Sequence, residues 1–324
     1  MSAVLLAQIG SVKRQINNYV RQDEAQRAFV FTLGVDSGAL LQDWLQDAKN
    51  LSAFQAMCDA RGMMSDVTTT SVTMDAVVAS QVAMDAVVAS QVAMEAVIAS
   101  QTAMDAVVAS QVAMEAVVAS QTAMDAVVAS QVAMEAVIAS QTAMDAVVAS
   151  QVAMEAVAAS QVAMTSIYAN AYAASAFVAS PHAQIGVPAM TSATAPSGTA
   201  TSQADYSGYE AWKAFDKSNS TRWKSNASDS WIAYEFSQPM LIHTALIINN
   251  AEPSGNYIEK CTVQFYDDSV GQWVNATDEI TVPTTTATHE LPVREIQKHS
   301  EWRFSINNAT NWCGAFELDF VGIA

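Results

Sequence analysis

A methionine recurs every ten residues from Met74 to Met164, ten times in succession, and this period constrains the chain more than any other feature. The unit reads Met-Asp/Glu-Ala-Val-Val/Ile-Ala-Ser-Gln-Val/Thr-Ala, as in Met84 to Ala93. Repetition of this kind marks a stacked architecture, because a unit so small cannot bury its own apolar face and must lean on its neighbours. A straight, continuous α-helix does not satisfy the period. Ten residues at about 100° each fall about 80° short of three turns, so a methionine face would spiral around such a helix. A helix broken once per unit escapes this. Serine is the natural break, since its hydroxyl caps a helix N-terminus, and at Ser180 the same slot is followed by Pro181, a residue favoured at the first helical position. The even period also fits a strand, with Met, Ala, Val, Ser and Val on one face and Asp, Val, Ala, Gln and Ala on the other. Ala, Met and Glu favour helix, and the helical reading is adopted.

On that reading the methionine column is core filler rather than a metal or cofactor site. The acid beside it, present nine times from Asp75 to Glu155, is the solvated face of a sticky rod. Because the unit is apolar on most sides, stacking is expected to extend to other chains, giving a homo-oligomer, most simply a homotrimer. No Lys or Arg occurs between Arg61 and Lys213, whereas that stretch carries 12 acids of the chain's 32, and the net charge is −18. Such a balance excludes nucleic acid as partner, because phosphate recognition needs clustered cations. No membrane insertion is expected, since acids, Ser or Gln interrupt every apolar run well before the roughly 20 residues of a spanning helix. The start, Met1 to Gly10, lacks the basic region of a signal peptide.

The flanks differ from the repeat and from each other. Residues 1–65 read as a helical attachment or oligomerisation region: Leu5, Ile9, Val12, Ile16 and Val20 fall at helical spacing, and Ser37 precedes a second expected helix, Ser37–Ala48. Residues 66–183 form the rod, and 184–203, rich in small residues, form a linker. Beyond residue 211 lie six of the seven Trp. Strand-like runs at Trp231–Phe236, Leu241–Ile248, Cys261–Tyr266, Trp302–Ile306 and Phe316–Val321 are separated by turn signals and argue for an antiparallel sandwich over 204–324. The expected fold is thus multidomain and fibrous: an α-helical N-terminal region, an elongated rod of short helices stacked in an oligomer, and a C-terminal antiparallel β-sandwich of the jelly-roll type.

Two resemblances bear on function. The Ala-Met-x-Ala-Val-x-Ala-Ser runs over residues 70–180 are similar to those of tail-fibre and related virion fibre proteins of bacteriophages. Ala214-Phe-Asp216-Lys-Ser-Asn-Ser-Thr221-Arg-Trp223, then Trp231-Ile-Ala-Tyr-Glu-Phe236, then Glu317-Leu-Asp-Phe-Val-Gly322 resemble the discoidin family, the coagulation factor five/eight C-type domain with a galactose-binding-like jelly roll. Members commonly bind sugars, and some bind lipid headgroups or proteins, through loops at one end of the sandwich. Many carbohydrate-binding relatives hold a structural calcium, a hard ion that takes oxygen ligands. The resemblance places its ligands at Asp216, Ser218, Thr221 and Glu317, with carbonyls near Lys213 and Phe316. Ser218 departs from the usual Asp or Asn, so a second reading stands beside calcium, in which Asp216 caps a turn and Glu317 makes an ordinary salt bridge. Trp223 and Trp231 are expected in the core. Sugars are held by an aromatic face with planar polar groups, and Asn249, Asn250, Tyr257, Asn308, Asn311 and Trp312 are the candidates, although Asn is also a common turn residue.

Catalytic signals are lacking. The four His, at 182, 243, 289 and 299, show no metal spacing, and no nucleophile elbow or phosphate loop occurs. His243 reads as structural and Asp267-Asp268 as a hairpin turn. Cys261 and Cys313 either pair or, in a reducing assembly compartment, stay free and buried. The chain is therefore read as a non-enzymatic virion fibre of a bacteriophage (head, collar or tail), assembled in the host cytoplasm. Residues 1–65 would attach it to other virion proteins, and 204–324 would present a lectin-like tip to host surface glycan. A purely structural collar or decoration fibre whose sandwich contacts virion proteins is the alternative; a bacterial surface adhesin would need an export signal.

Overall fold

The computed structural model describes residues 23–250, 256–309 and 312–324. The chain divides into two compact units, Met1–Ala176 and Phe177–Ala324.

The first unit is helical throughout its described residues. Residues 23–33 are helical, followed by Gly38–Trp44, Ala48–Cys58, Met63–Thr68 and Ser71–Val78. One helix per decapeptide then runs from Gln81–Ala89 to Gln161–Ala169. Each unit breaks at its serine, as the capping argument requires. Ser120 is extended, at φ −105° and ψ 116°, and its hydroxyl oxygen accepts the Ala123 N–H at 3.3 Å. Successive helices meet at sharp bends, 99° between Ser71–Val78 and Gln81–Ala89 and 103° between Gln131–Ala139 and Gln141–Ala149. Each helix packs on the one three units earlier, which makes a solenoid of three helices per turn. Val72, Val132 and Val162, spaced by multiples of one such turn, line up as exposed residues along one column.

The β reading of the repeat is thereby excluded, and the units stack on one another within one chain. Met74 through Met164 are at most 1% exposed in the single chain, with Ala123 and Val127 showing the pattern around them. An α-helix puts residues three, four, seven and eight of each helix (Ala123, Met124, Val127 and Val128 in Gln121–Ala129) on one side, and three such sides face inward around each turn. The acids lie outside, and Gln side chains four residues before them donate to their carboxylates, as from Gln121 to Asp125 at 2.6 Å.

The serine has a second task. Its hydroxyl donates to a carbonyl 32 residues back, at the end of the helix one turn below: Ser110 to Val78 at 2.8 Å, Ser120 to Val88 at 2.9 Å and Ser160 to Val128 at 2.6 Å. One side chain thus satisfies an orphan donor of its own helix and an orphan acceptor of another. Asn170 does the same with two atoms, accepting from Ala173 N–H at 3.0 Å and donating to Ile138 O at 3.5 Å.

Residues 38–68 join this ladder rather than forming a separate head. Ser80 bonds the Gln42 side chain at 2.6 Å, Ser90 the Cys58 carbonyl at 3.1 Å and Ser100 the Thr68 carbonyl at 2.8 Å. The expected helix Ser37–Ala48 is instead two, Gly38–Trp44 and one beginning at Ala48, and the Ser37 side chain makes no capping bond; Asp47 caps the second by accepting from Lys49 N–H. The helix expected over residues 5–20 lies outside the described residues. Among the described residues no single helix is long and apolar enough to cross a membrane.

The second unit is an antiparallel sandwich of β1 (Thr199–Ser202), β2 (Trp223–Ser225), β3 (Asp229–Asn249), β4 (Lys260–Asp267), β5 (Gln272–Asn275), β6 (Ile280–Thr281), β7 (Thr288–Pro292), β8 (His299–Asn307) and β9 (Cys313–Ile323). The two runs expected as separate strands at 231–236 and 241–248 are halves of β3. Its first half pairs with β1 and β8, its second with β7 and β9, and the register shifts between Glu235 and Met240. Pro239 sits at that crossing, where a ladder donor is dispensable. One sheet runs β1-β3-β8-β4-β5 with β6 on β4, and the other β7-β3-β9-β2. Trp223, Trp302, Phe304, Phe320, Phe215 and Tyr234 fill the space between them.

Residues 184–203, expected as a linker, belong to this unit. Val187 and Met190 are buried in its core, Ile185 bridges to Gly322, and β1 pairs with β3. Trp223 is buried as expected, whereas Trp231 is only half-buried and lies outside the core cluster. Strand alternation decides this: Ile232 faces inward, so Trp231 faces out.

Candidate functional site

Two neighbouring clusters occupy one end of the sandwich, where β2, β9 and the loop before β2 converge. The first brings together all four residues expected around calcium. Asp216 and Glu317 each accept from the Ser218 N–H, both at 2.9 Å. The Thr221 hydroxyl lies 2.6 Å from the second Asp216 oxygen and 3.0 Å from the Ser218 carbonyl. Glu317 is buried, and its carboxyl is pushed up to about 8 by that burial, with the Asp216 carboxyl beside it acting in the same direction. Lys217 is held in the left-handed region at φ 59° with its ammonium on Asp319 at 2.6 Å. Among the described residues Glu317 has no salt-bridge partner. Two carboxyl groups, a hydroxyl and a carbonyl converge from β9 and the loop before β2, an all-oxygen set that fits a hard divalent cation.

The second cluster is aromatic and basic. The turn Tyr206-Ser-Gly208-Tyr209 is fastened to β2 at one residue: Tyr206 N–H donates to Lys224 O at 2.8 Å, and Lys224 N–H to Tyr209 O at 3.3 Å. Gly208, at φ 87°, takes a backbone conformation that L side chains rarely adopt. Tyr206 is 45% exposed, 5.9 Å from Tyr209 and edge-on to Trp312 at 5.1 Å. The Lys224 ammonium lies 4.8 Å from the Tyr209 ring, and the Arg222 guanidinium lies 5.6 Å from Tyr209 and 5.7 Å from Phe316. Aromatic faces beside fixed cations can stack on a sugar ring and bond its hydroxyls. The clusters are joined by the chain: Thr221 of the first precedes Arg222 of the second, and Glu317 and Phe316 take opposite faces of β9.

The expected sugar-facing residues divide sharply. Trp312 is in the cluster. Asn249 is fully buried, donating to Ile258 O and Pro283 O and accepting from Ile258 and Asn250 N–H, so it staples loops together and faces no ligand. Asn250 is buried as well and accepts from Arg222 at 3.3 Å, which makes it a support for that cation. Asn308 is 6% exposed and ties Glu259 N–H to the Tyr257 and Trp312 carbonyls. Tyr257 contributes that carbonyl, and no contact joins its ring to the aromatic cluster. Asn311 lies outside the described residues. Tyr206, Tyr209 and Arg222 were not anticipated, although two Tyr flanking a turn glycine were a legible sign. His243 is structural as expected, bonded at 2.7 Å to Ala183 O and at 2.9 Å to Thr244, and burial lowers its pKa. The Asp267 side chain accepts from Ser269 in the β4–β5 turn. Cys58, Cys261 and Cys313 are all free and buried, and burial pushes the Cys261 and Cys313 thiols up to about 12.

The C-terminal region resembles carbohydrate-binding modules of family 32 and F5/8 type C domains of known structure. A family 32 module from NanJ of Clostridium perfringens, in complex with galactose, is 15% identical and matches over 38% of this chain and 93% of its own, with a TM-score of 0.34. An F5/8 type C domain from Bacteroides fragilis is 16% identical over 44% of this chain and 97% of its own, at 0.37. A further C. perfringens module, in complex with GalNAc-β-1,3-galactose, is 15% identical over 39% and 95%, at 0.34. No protein-family model and no curated protein matches the sequence.

Proposed function

We propose that the chain is a bacteriophage virion fibre whose C-terminal unit binds a host-surface glycan without cleaving it. The observation that carries the binding role is the cluster of exposed Tyr206 with half-buried Tyr209, Trp312 and Arg222 at one end of the sandwich, Lys224 being buried against the Tyr209 ring. Calcium, held by Asp216, Thr221, Glu317 and the Ser218 carbonyl, would supply positive charge between the two carboxylates. The residues of that loop then hold Arg222 and β2 in place beneath the aromatic rings, so the ion acts on geometry and not on the sugar. The solenoid serves as the stalk, other virion proteins take its N-terminal end, and copy number multiplies a weak single contact.

The test is a glycan array probed with the intact chain displayed multivalently, with calcium and with chelator. Tyr206→Ala and Trp312→Ala should each reduce binding about ten-fold or more, as expected for aromatic anchors. Absence of binding by the unmodified chain to any array member would sink the tip assignment.

A further inference from the structure

From the outer face of the β3-β8-β4-β5 sheet, away from the loop cluster, we infer a second binding site, for an extended segment of a glycan chain. The register aligns its residues in rows. Ala233, Arg303, Gln264 and Asn275 lie side by side across the four strands, flanked by Trp231 in the row before and by Tyr266 paired with Trp273 in the row after. Strand alternation turns the larger of these side chains outward, because Phe265, Phe304 and Ile232 between them are in the core, while Ala233 itself is fully buried.

The array is built and fixed. The Arg303 guanidinium lies 4.0 Å from the Trp273 ring centroid and 5.8 Å from that of Trp231. Its Nε donates to Gln264 Oε1 at 2.6 Å, and Gln264 Nε2 donates to Asn275 Oδ1 at 2.6 Å. Tyr266 stands edge-on to Trp273 at 5.5 Å. Neither Trp231, Trp273 nor Tyr266 belongs to the hydrophobic core, although the neighbouring outward positions carry Thr262, Ser305, Glu235 and Glu301. Packing explains Arg303 on one indole. It does not explain three large aromatics on three different strands of a face that alternation assigns to water.

The chemistry selects the occupant. Apolar ring faces next to planar amide and guanidinium groups match the alternating apolar face and equatorial hydroxyls of sugars, and a face that is part aromatic and part charged suits no hydrophobic protein core. From β3 to β5 the array crosses three strand spacings, about 14 Å, which fits a chain segment better than a single terminal sugar. Because the hydrogen bonds already lock the side chains, little rotamer freedom is lost on binding. This site goes beyond the loop site proposed above and stands or falls separately.

The experiment is native affinity electrophoresis of the intact chain through gels containing galactan, mannan, glucan or alginate. At least one polymer should retard the protein, and a Trp231→Ala/Trp273→Ala double variant should weaken that retardation about ten-fold or more, whereas Asp125→Asn, exposed on the solenoid, should leave it. Indole oxidation by N-bromosuccinimide, read by peptide mass spectrometry on the unmodified chain, guards against a variant that merely unfolds: the retarding polymer should protect Trp231 and Trp273. Absence of retardation by every polymer, retardation that vanishes with Tyr206→Ala alone, or unprotected indoles would each overturn the site.

Discussion

The two units solve burial in opposite ways. In the solenoid, ten residues written over and over close a core through contacts whose longest regular reach is 32 residues, the serine-to-carbonyl bond. In the sandwich, contacts that hold the core span most of the unit, as between Val187 N–H and Asp319, 132 residues apart. A core assembled from repeated local contacts tolerates loss of a piece, and one assembled from distant pairs does not.

Block deletion should expose that contrast most strongly. Removing residues 121–130 should leave a shorter solenoid with its helical circular dichroism intact, whereas removing the ten residues 258–267, which include all of β4, should abolish the sandwich. Equal sensitivity would break the comparison. Single truncations come next. Trp302→Ala should cost the sandwich about 3–5 kcal/mol and Met124→Ala the solenoid about 2–5 kcal/mol. In urea titrations the first should lower one cooperative midpoint, and the second should broaden the helical transition.

The sandwich should respond to pH. Its folded form holds the Glu317 proton up to about pH 8, whereas an unfolded glutamate releases it near the ordinary value of 4.5. The folded state therefore binds more protons between those values, and stability falls as pH rises through that window. In chelator, melting of the sandwich should drop by several degrees between pH 5 and 9. Calcium or Glu317→Gln should flatten the dependence, and a flat profile without either would refute the electrostatic account.

Ser120→Ala removes a cap and strands the Val88 carbonyl, for a loss of about 1–3 kcal/mol. Ser120→Asn should recover much of it, because Asn170 already performs both tasks in that slot. Chemical denaturation of the three proteins decides this. Smallest of all, Asp125→Asn should shift stability by less than about 0.5 kcal/mol, since the acid is exposed. Replacing all nine acids should instead lower solubility, measured by precipitation, which is where their charge acts.

What could be read beforehand follows the same division. The serine break, the buried methionine and the solvated acid were legible because a single helix turn decides each of them. That units meet three apart was not, since spacing along one helix says nothing about which later helix returns to it. In the sandwich, the convergence of Asp216, Thr221 and Glu317 was legible as a motif. Asn249 and Asn308 misled because they sit at strand ends, where only the folded arrangement shows loops closing over them. Trp223 and Trp231, eight residues apart, could not be separated without knowing where the strand begins.

The three-fold turn of the solenoid has a consequence for length. Nearly identical ten-residue units are prone to gain or loss by slippage during replication, and each event advances the chain by one third of a turn. Adding or losing one unit or two would therefore change the azimuth at which the solenoid itself ends, while three together would change only its length. The repeat carries a vernier: its length is adjustable in single steps, but the heading of its last helix returns only every thirty residues.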